Sequence, residues 1–124
     1  MKFLKMLLLS AIALSLGVSL AFAAGSVERG KALFNDSKLG TNGSTCGLCH
    51  PGGKGLEKAG MAGKVEWKTP GGNMKSLEDA INICITMALK GKALDKKSAK
   101  MLDLVAYITS LGKKAPMKHP ASGY

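Results

Sequence analysis

The feature that most constrains this 124-residue chain is one short run, Cys46-Gly47-Leu48-Cys49-His50. Two thiols three positions apart, followed at once by an imidazole, fit one chemistry closely. Each thiol adds its S–H across one vinyl group of a haem, and the histidine ligates the iron from one face. A structural zinc site would need four ligands, and beyond these three the chain offers only Cys84 and His119, neither at the short spacing such sites use. A thioredoxin-like redox pair would follow a strand in a βαβ unit, and no alternating or β-branched run precedes Cys46. Neither alternative accounts for His50 as well as haem does. The cofactor expected is one covalently bound haem c, held by Cys46 and Cys49, with His50 as proximal iron ligand.

The N-terminus points to the same compartment chemistry. Lys2 and Lys5 flank a short start, Met6 to Leu20 is apolar apart from Ser10, Ser15, Gly17 and Ser19, and Ala21-Phe22-Ala23 is a small-x-small cleavage pattern. Residues 1–24 therefore read as a secretory signal peptide, cut near Ala23 or Ala24, and haem is attached covalently on the far side of the membrane it crosses. A bacterial signal peptide places the mature protein in the periplasm, with no stable membrane insertion once it is cleaved. The alternative is an uncleaved anchor facing the periplasm, since the apolar stretch is nearly long enough to span a bilayer.

About 100 residues remain, enough for one small domain. With few aromatics and a glycine-rich middle, such a domain builds only a thin core from its own side chains, so a buried haem would supply apolar volume and folding would be coupled to its attachment. The chain's 18 Lys and Arg against 8 Asp and Glu give +10; without Lys2 and Lys5 the mature domain keeps +8, before the haem propionates lower it. A basic surface bears on association. Lysines scattered along the chain, with almost no arginine or interleaved aromatics, do not make a nucleic-acid patch, and the compartment argues against that partner too. Acidic redox proteins are the expected partners of a monomer, and the plainer role of the charge is solubility.

Three helical segments and one long loop follow from pattern. Ser26 to Asn35 has a capping serine, Glu28 in its first turn, and Gly30 one turn before Phe34. Ser76 to Lys90 opens with Ser76-Leu77-Glu78-Asp79, close to a capping box, and places Leu77, Ile81, Cys84 and Ala88 on one apolar stripe. Ser98 to Leu111 carries Met101, Leu104, Val105 and Ile108 at helical spacing, with Gly112 just past its expected end. Between Pro51 and Lys75 no periodicity is sustained, and a loop of that length in a small domain is expected to wrap something, here the haem. Residues 113–124, with Pro116 and Pro120, are expected to be loosely held.

These landmarks resemble a class I cytochrome c. A first helix with Gly30-x-x-x-Phe34, then Cys46 to His50, then a last helix with Leu104-Val105-Ala106-Tyr107-Ile108 is the arrangement that family shows. The resemblance implies an all-α class I cytochrome c fold over residues 25–112, three main helices and a Gly-rich loop around one haem, with Gly30 against Tyr107 where the first and last helices cross. The second half is similar to something narrower. Leu77 to Cys84, then Gly91-Lys92-Ala93-Leu94-Asp95, Ser98, Met101 and Leu104 to Ile108 resemble a haem domain of thiosulfate dehydrogenases and related sulfur-oxidation cytochromes. In that family the cysteine matching Cys84 is the second axial ligand. The chain departs from it in having one haem motif where those enzymes are often dihaem.

Two sulfurs compete for the distal position. Cys84 is a third cysteine with no partner for an internal disulfide, and it lies at the centre of its apolar stripe. Met87, one turn on and to its side, precedes Tyr107 by the interval at which class I cytochromes commonly place a methionine ligand. Cys84 could equally be a small buried hydrophobe. Met74 in a Gly-rich loop, Met61, Met101 in the last helix's core stripe and His119 in the tail are weaker candidates. The expected function is single-electron transfer between redox partners outside the cytoplasm; the alternative is a haem subunit or enzyme of thiosulfate or sulfur-anion oxidation that uses a Cys-ligated haem.

Overall fold

Side-chain caps mark where the helices begin, and the elements follow from them: α1 (Val27–Phe34), α2 (Cys46–Cys49), a 3-10 turn (Pro51–Gly53), β1 (Trp67–Thr69), β2 (Gly72–Met74), α3 (Leu77–Ile83), which runs straight into a π turn (Cys84–Ala88), and α4 (Ala99–Lys114). The computed structural model describes residues 24–114. Residues 1–23, nearly all of the segment expected to be a signal peptide, and the tail from Ala115 lie outside the described residues.

The Ser26 hydroxyl accepts from the Arg29 N–H at 3.2 Å and so satisfies one of the free donors that open α1. Ser76 does the same for α3, accepting from the Asp79 N–H at 3.1 Å, and Ser98 accepts from Met101 at 3.3 Å at the start of α4. Helices α1 and α4 form the most extensive contact between elements. Gly30 makes this possible: a Cβ there would run into the Asp103 carbonyl and Tyr107 Cβ, so only glycine lets the backbones meet. One turn on, Phe34 packs edge-on against Tyr107, with ring centroids 5.1 Å apart. The expected Gly30–Tyr107 contact is present.

Around this crossing, Phe34, Ile81, Ile85, Leu89, Met101, Leu104, Tyr107 and Ile108 form the core. Phe34, Ile85, Met101 and Leu104 are fully enclosed, and removing a side chain of this size from water contributes about 2 kcal/mol each. One charge lies among them. Asp103 is 5% exposed. It accepts from Arg29 Nε and Nη2, both at 2.8 Å, and from the Ser26 backbone N–H at 2.7 Å, which ties the entry to α1 onto α4.

Three features depart from the sequence reading. Gly112 does not end the last helix, which continues to Lys114. Its lack of a side chain serves a close approach instead, because a Cβ would strike the backbone of Gly60. The stretch from Pro51 to Lys75 is not wholly irregular. Trp67 pairs with Met74 and Thr69 with Gly72 in a short antiparallel hairpin closed by Pro70-Gly71, with Gly72 at φ 109° supplying a conformation that side chains disfavour. Lastly, the helix expected from Ser76 to Lys90 is α-helical only as far as Ile83, after which its pitch widens.

Candidate functional site

The cysteine-histidine run forms a single capped turn. The Thr45 hydroxyl accepts from Leu48 N–H at 3.1 Å, and His50 N–H bonds back to the Cys46 carbonyl at 2.9 Å. Positions three apart on such a turn share a face, which brings both thiols to one side. The two intervening residues are placed by different demands. Gly47 faces the Asn35 side chain just past the end of α1, whose amide oxygen would have to move aside for a Cβ, while Leu48 is 71% exposed.

Cys46, Cys49 and His50 open onto a cavity of about 700 Å³. Phe34, Leu56, Leu104 and Ile108 supply apolar wall from the core side, and Leu77, Ala80, Ile81, Cys84 and Ala88 line it from α3 and the π turn. The stripe predicted from spacing is therefore the cavity-facing side of that helix. The hairpin contributes Trp67, whose indole N–H donates to the Ala59 carbonyl at 3.0 Å, and the Lys64 ammonium lies 5.9 Å from its ring centroid. Lys58, Lys64 and Lys68 bring positive charge to the same cavity.

His50 has a fixed tautomer. Its Nδ1 lies 3.1 Å from the Lys54 carbonyl oxygen, which can only accept, so Nδ1 carries the proton and Nε2 keeps its lone pair for a metal. Burial pushes the Cys46 thiol up to about 11 and raises Cys84 as well, with neighbouring cysteines adding to both shifts. All three cysteines are free. Free thiols at Cys46 and Cys49 beside an apolar cavity are placed for addition to vinyl groups, in which each S–H adds across one double bond.

The other sulfur candidates stand elsewhere. Met87 is 46% exposed and does not line the cavity, Met61 is 54% exposed, Met101 is fully buried in the core, and Met74 pairs with Trp67 in the hairpin. His119 lies outside the described residues. Among the described residues, no group of three or more His, Cys, Asp or Glu side chains is arranged to hold a bare metal ion. Sequence reasoning did not pick out Trp67, the Lys54 carbonyl or the three lysines. Pro70-Gly71 after a tryptophan was a legible hairpin signal; the carbonyl had none.

An apolar cavity, two thiols on one turn, and an imidazole with its outer nitrogen anchored fit a covalently bound haem, and with crossed helices at the chain's two ends they define a c-type cytochrome domain. A family model described as the SoxA/TsdA cytochrome c domain matches residues 29–117. The chain belongs to this family, which carries covalently bound haem c and works by haem-based electron transfer. Comparison with curated proteins and with solved structures returned no match.

Proposed function

We propose that the protein is a periplasmic monohaem electron carrier whose iron is ligated by His50 and Cys84 and which passes single electrons between acidic redox proteins. The observation that carries this reading is the convergence of Cys46, Cys49, His50 and Cys84, from two separate elements, on one apolar cavity. Bound haem c supplies a one-electron iron couple. The chain's own residues do the rest. Cys46 and Cys49 fix the cofactor in place, Lys54 orients His50, and the core wall excludes water. Leu48, between the two thiols, is 71% exposed and does not line the cavity, so the attachment edge lies near the surface, where an electron would have a short path to a partner. Export by the signal segment and a monomeric state complete the reading.

The experiment is retention. Denaturation in acid acetone should leave the haem on the chain, and the mass should exceed that of the processed polypeptide by one haem. Haem that extracts freely under that treatment overturns the reading.

Family membership favours a second reading, in which a thiolate-ligated haem oxidises thiosulfate or a related sulfur anion drawn in by Lys58, Lys64 and Lys68. Turnover of thiosulfate with an artificial acceptor would make the protein an enzyme. No turnover leaves it a carrier.

A further inference from the structure

We infer that the π turn at Cys84–Ala88 selects which sulfur faces the iron, keeping Cys84 on the cavity wall and turning Met87 away, with Thr86 and Asn42 as its positioning residues. The inference rests on the cavity being the haem site.

On an unbroken α-helix, Met87 would lie within about 60° of Cys84 and within about 20° of Ala80, two turns below it. Ala80 lines the cavity. A regular helix would therefore carry the methionine up the same face and offer the iron two sulfurs. What occurs instead is a change of pitch. The Cys84 N–H still reaches back to Ala80, but the Leu89 N–H bonds to the Cys84 carbonyl, five residues earlier, at 3.2 Å. One extra residue is accommodated in that turn, which slips the following side chains round by up to about 100°. Met87 is consequently left 46% exposed, while Ile85 and Leu89 both reach the core.

Specific groups hold the wide turn at both ends. At the near end, the Thr86 hydroxyl donates to the Asn82 carbonyl at 2.8 Å, with Ile83 at 3.4 Å, where the ladder changes pitch. The Asn82 side chain is itself gripped, donating to the Leu94 carbonyl at 2.9 Å and accepting from its N–H at 2.8 Å. At the far end, Asn42 Nδ2 donates to the Ala88 carbonyl at 2.9 Å, and Thr41 donates from its N–H to Leu89 at 2.9 Å and from its hydroxyl to Lys90 at 2.6 Å. Lys90 takes φ 55°, and Gly91 N–H closes onto Ile85 at 2.8 Å. Thr86, Asn82 and Asn42 do not line the cavity, so their common effect is on the path of the backbone.

The test uses the haem-loaded protein and reads iron spin state. With Cys84→Ala, the turn should keep Met87 out: the low-spin signal is lost, the oxidised protein becomes high-spin, and no far-red methionine-to-iron band appears. Adding Thr86→Val and Asn42→Ala should free the turn to wind as α-helix, restoring a low-spin spectrum with that band, which Met87→Ala then abolishes. Thr86→Ser, which keeps the hydroxyl, should not restore it. Retained haem and unchanged helix content by circular dichroism identify variants that have folded, and Cys84→Ala alone decides the selection. If that single variant already shows the band, and Met87→Ala removes it, the inference is overturned while Cys84 ligation in the native protein stands. If a folded triple variant stays high-spin, the role of Thr86 and Asn42 is overturned. Should the native protein lack a thiolate signature yet keep its spectrum in Met87→Ala, Cys84 ligation fails and the exclusion of Met87 holds.

Discussion

Gly30 and Asp103 set the helix crossing at the level of single residues, and each makes a prediction with a sign. Alanine is the better helix former by about 1 kcal/mol, yet a methyl at position 30 meets the Asp103 carbonyl and Tyr107. Gly30→Ala should therefore destabilise by a few kcal/mol, and an unchanged melting temperature would contradict the close crossing. The Arg29 guanidinium and the Ser26 N–H hold the Asp103 carboxyl below its ordinary value. A depressed carboxylate contributes stability that is present above its unfolded pKa, near 4, and is lost as pH falls through the folded value. Arg29 is 52% exposed, so water screens its charge, and most of the effect comes from hydrogen bonds to a covered carboxylate. Asp103→Asn should cost about 2 kcal/mol at neutral pH, roughly 10 °C in a domain of this size, with the gap to the native protein closing below about pH 4. Thermal melts at pH 7 and pH 3 check this; a gap that does not narrow in acid would contradict the charge argument. Gly30 and Tyr107 were legible in the sequence as a family landmark. Asp103 was not, since its role depends on two partners more than seventy positions away.

At the scale of elements, spacing revealed the helices better than it revealed their ends. The three long helices begin at the serines the sequence marks, because a cap is a local event. Gly112 reads locally as a stop signal, but its neighbour in space is Gly60, and only the fold brings the two together. The distinction can be measured. At a helix end in open space Gly112→Ala would be nearly neutral, whereas against Gly60 it should lower the melting temperature despite the better helix propensity of alanine. A variant as stable as the native protein would contradict the contact. The π turn was illegible for a related reason. The pattern Leu77, Ile81, Cys84, Ala88 fits a regular helix, and what widens the turn includes hydrogen bonds from Thr41 and Asn42, some forty-odd residues distant. The site was legible where its chemistry is local, at Cys46, Cys49 and His50, and ambiguous where two sulfurs lie one turn apart.

For the whole molecule, a cavity of about 700 Å³ beside a core of eight buried side chains means that much of the apolar contact in this domain is completed by the cofactor. Replacing Cys46 and Cys49 together by serine should leave a chain without fixed tertiary structure, seen as lost near-ultraviolet dichroism; a cooperative melt in that variant would contradict the coupling of folding to attachment. The net charge of +10, or +8 if the proposed signal peptide with Lys2 and Lys5 is removed, predicts electron-transfer on-rates that fall with salt as the Debye length shrinks from about 30 Å to about 8 Å, and a flat dependence would leave the lysines a solubility role. Both predictions concern the setting of the iron; its ligands define the protein. A thiolate donates electron density and stabilises the ferric state, whereas a thioether favours the ferrous state. Low-temperature electron paramagnetic resonance of the oxidised native protein, with magnetic circular dichroism on the same sample, reports the axial pair directly. Ligation by His50 and Cys84 predicts a low-spin histidine–thiolate signal with no far-red methionine-to-iron band; a histidine–methionine signal with that band would contradict it.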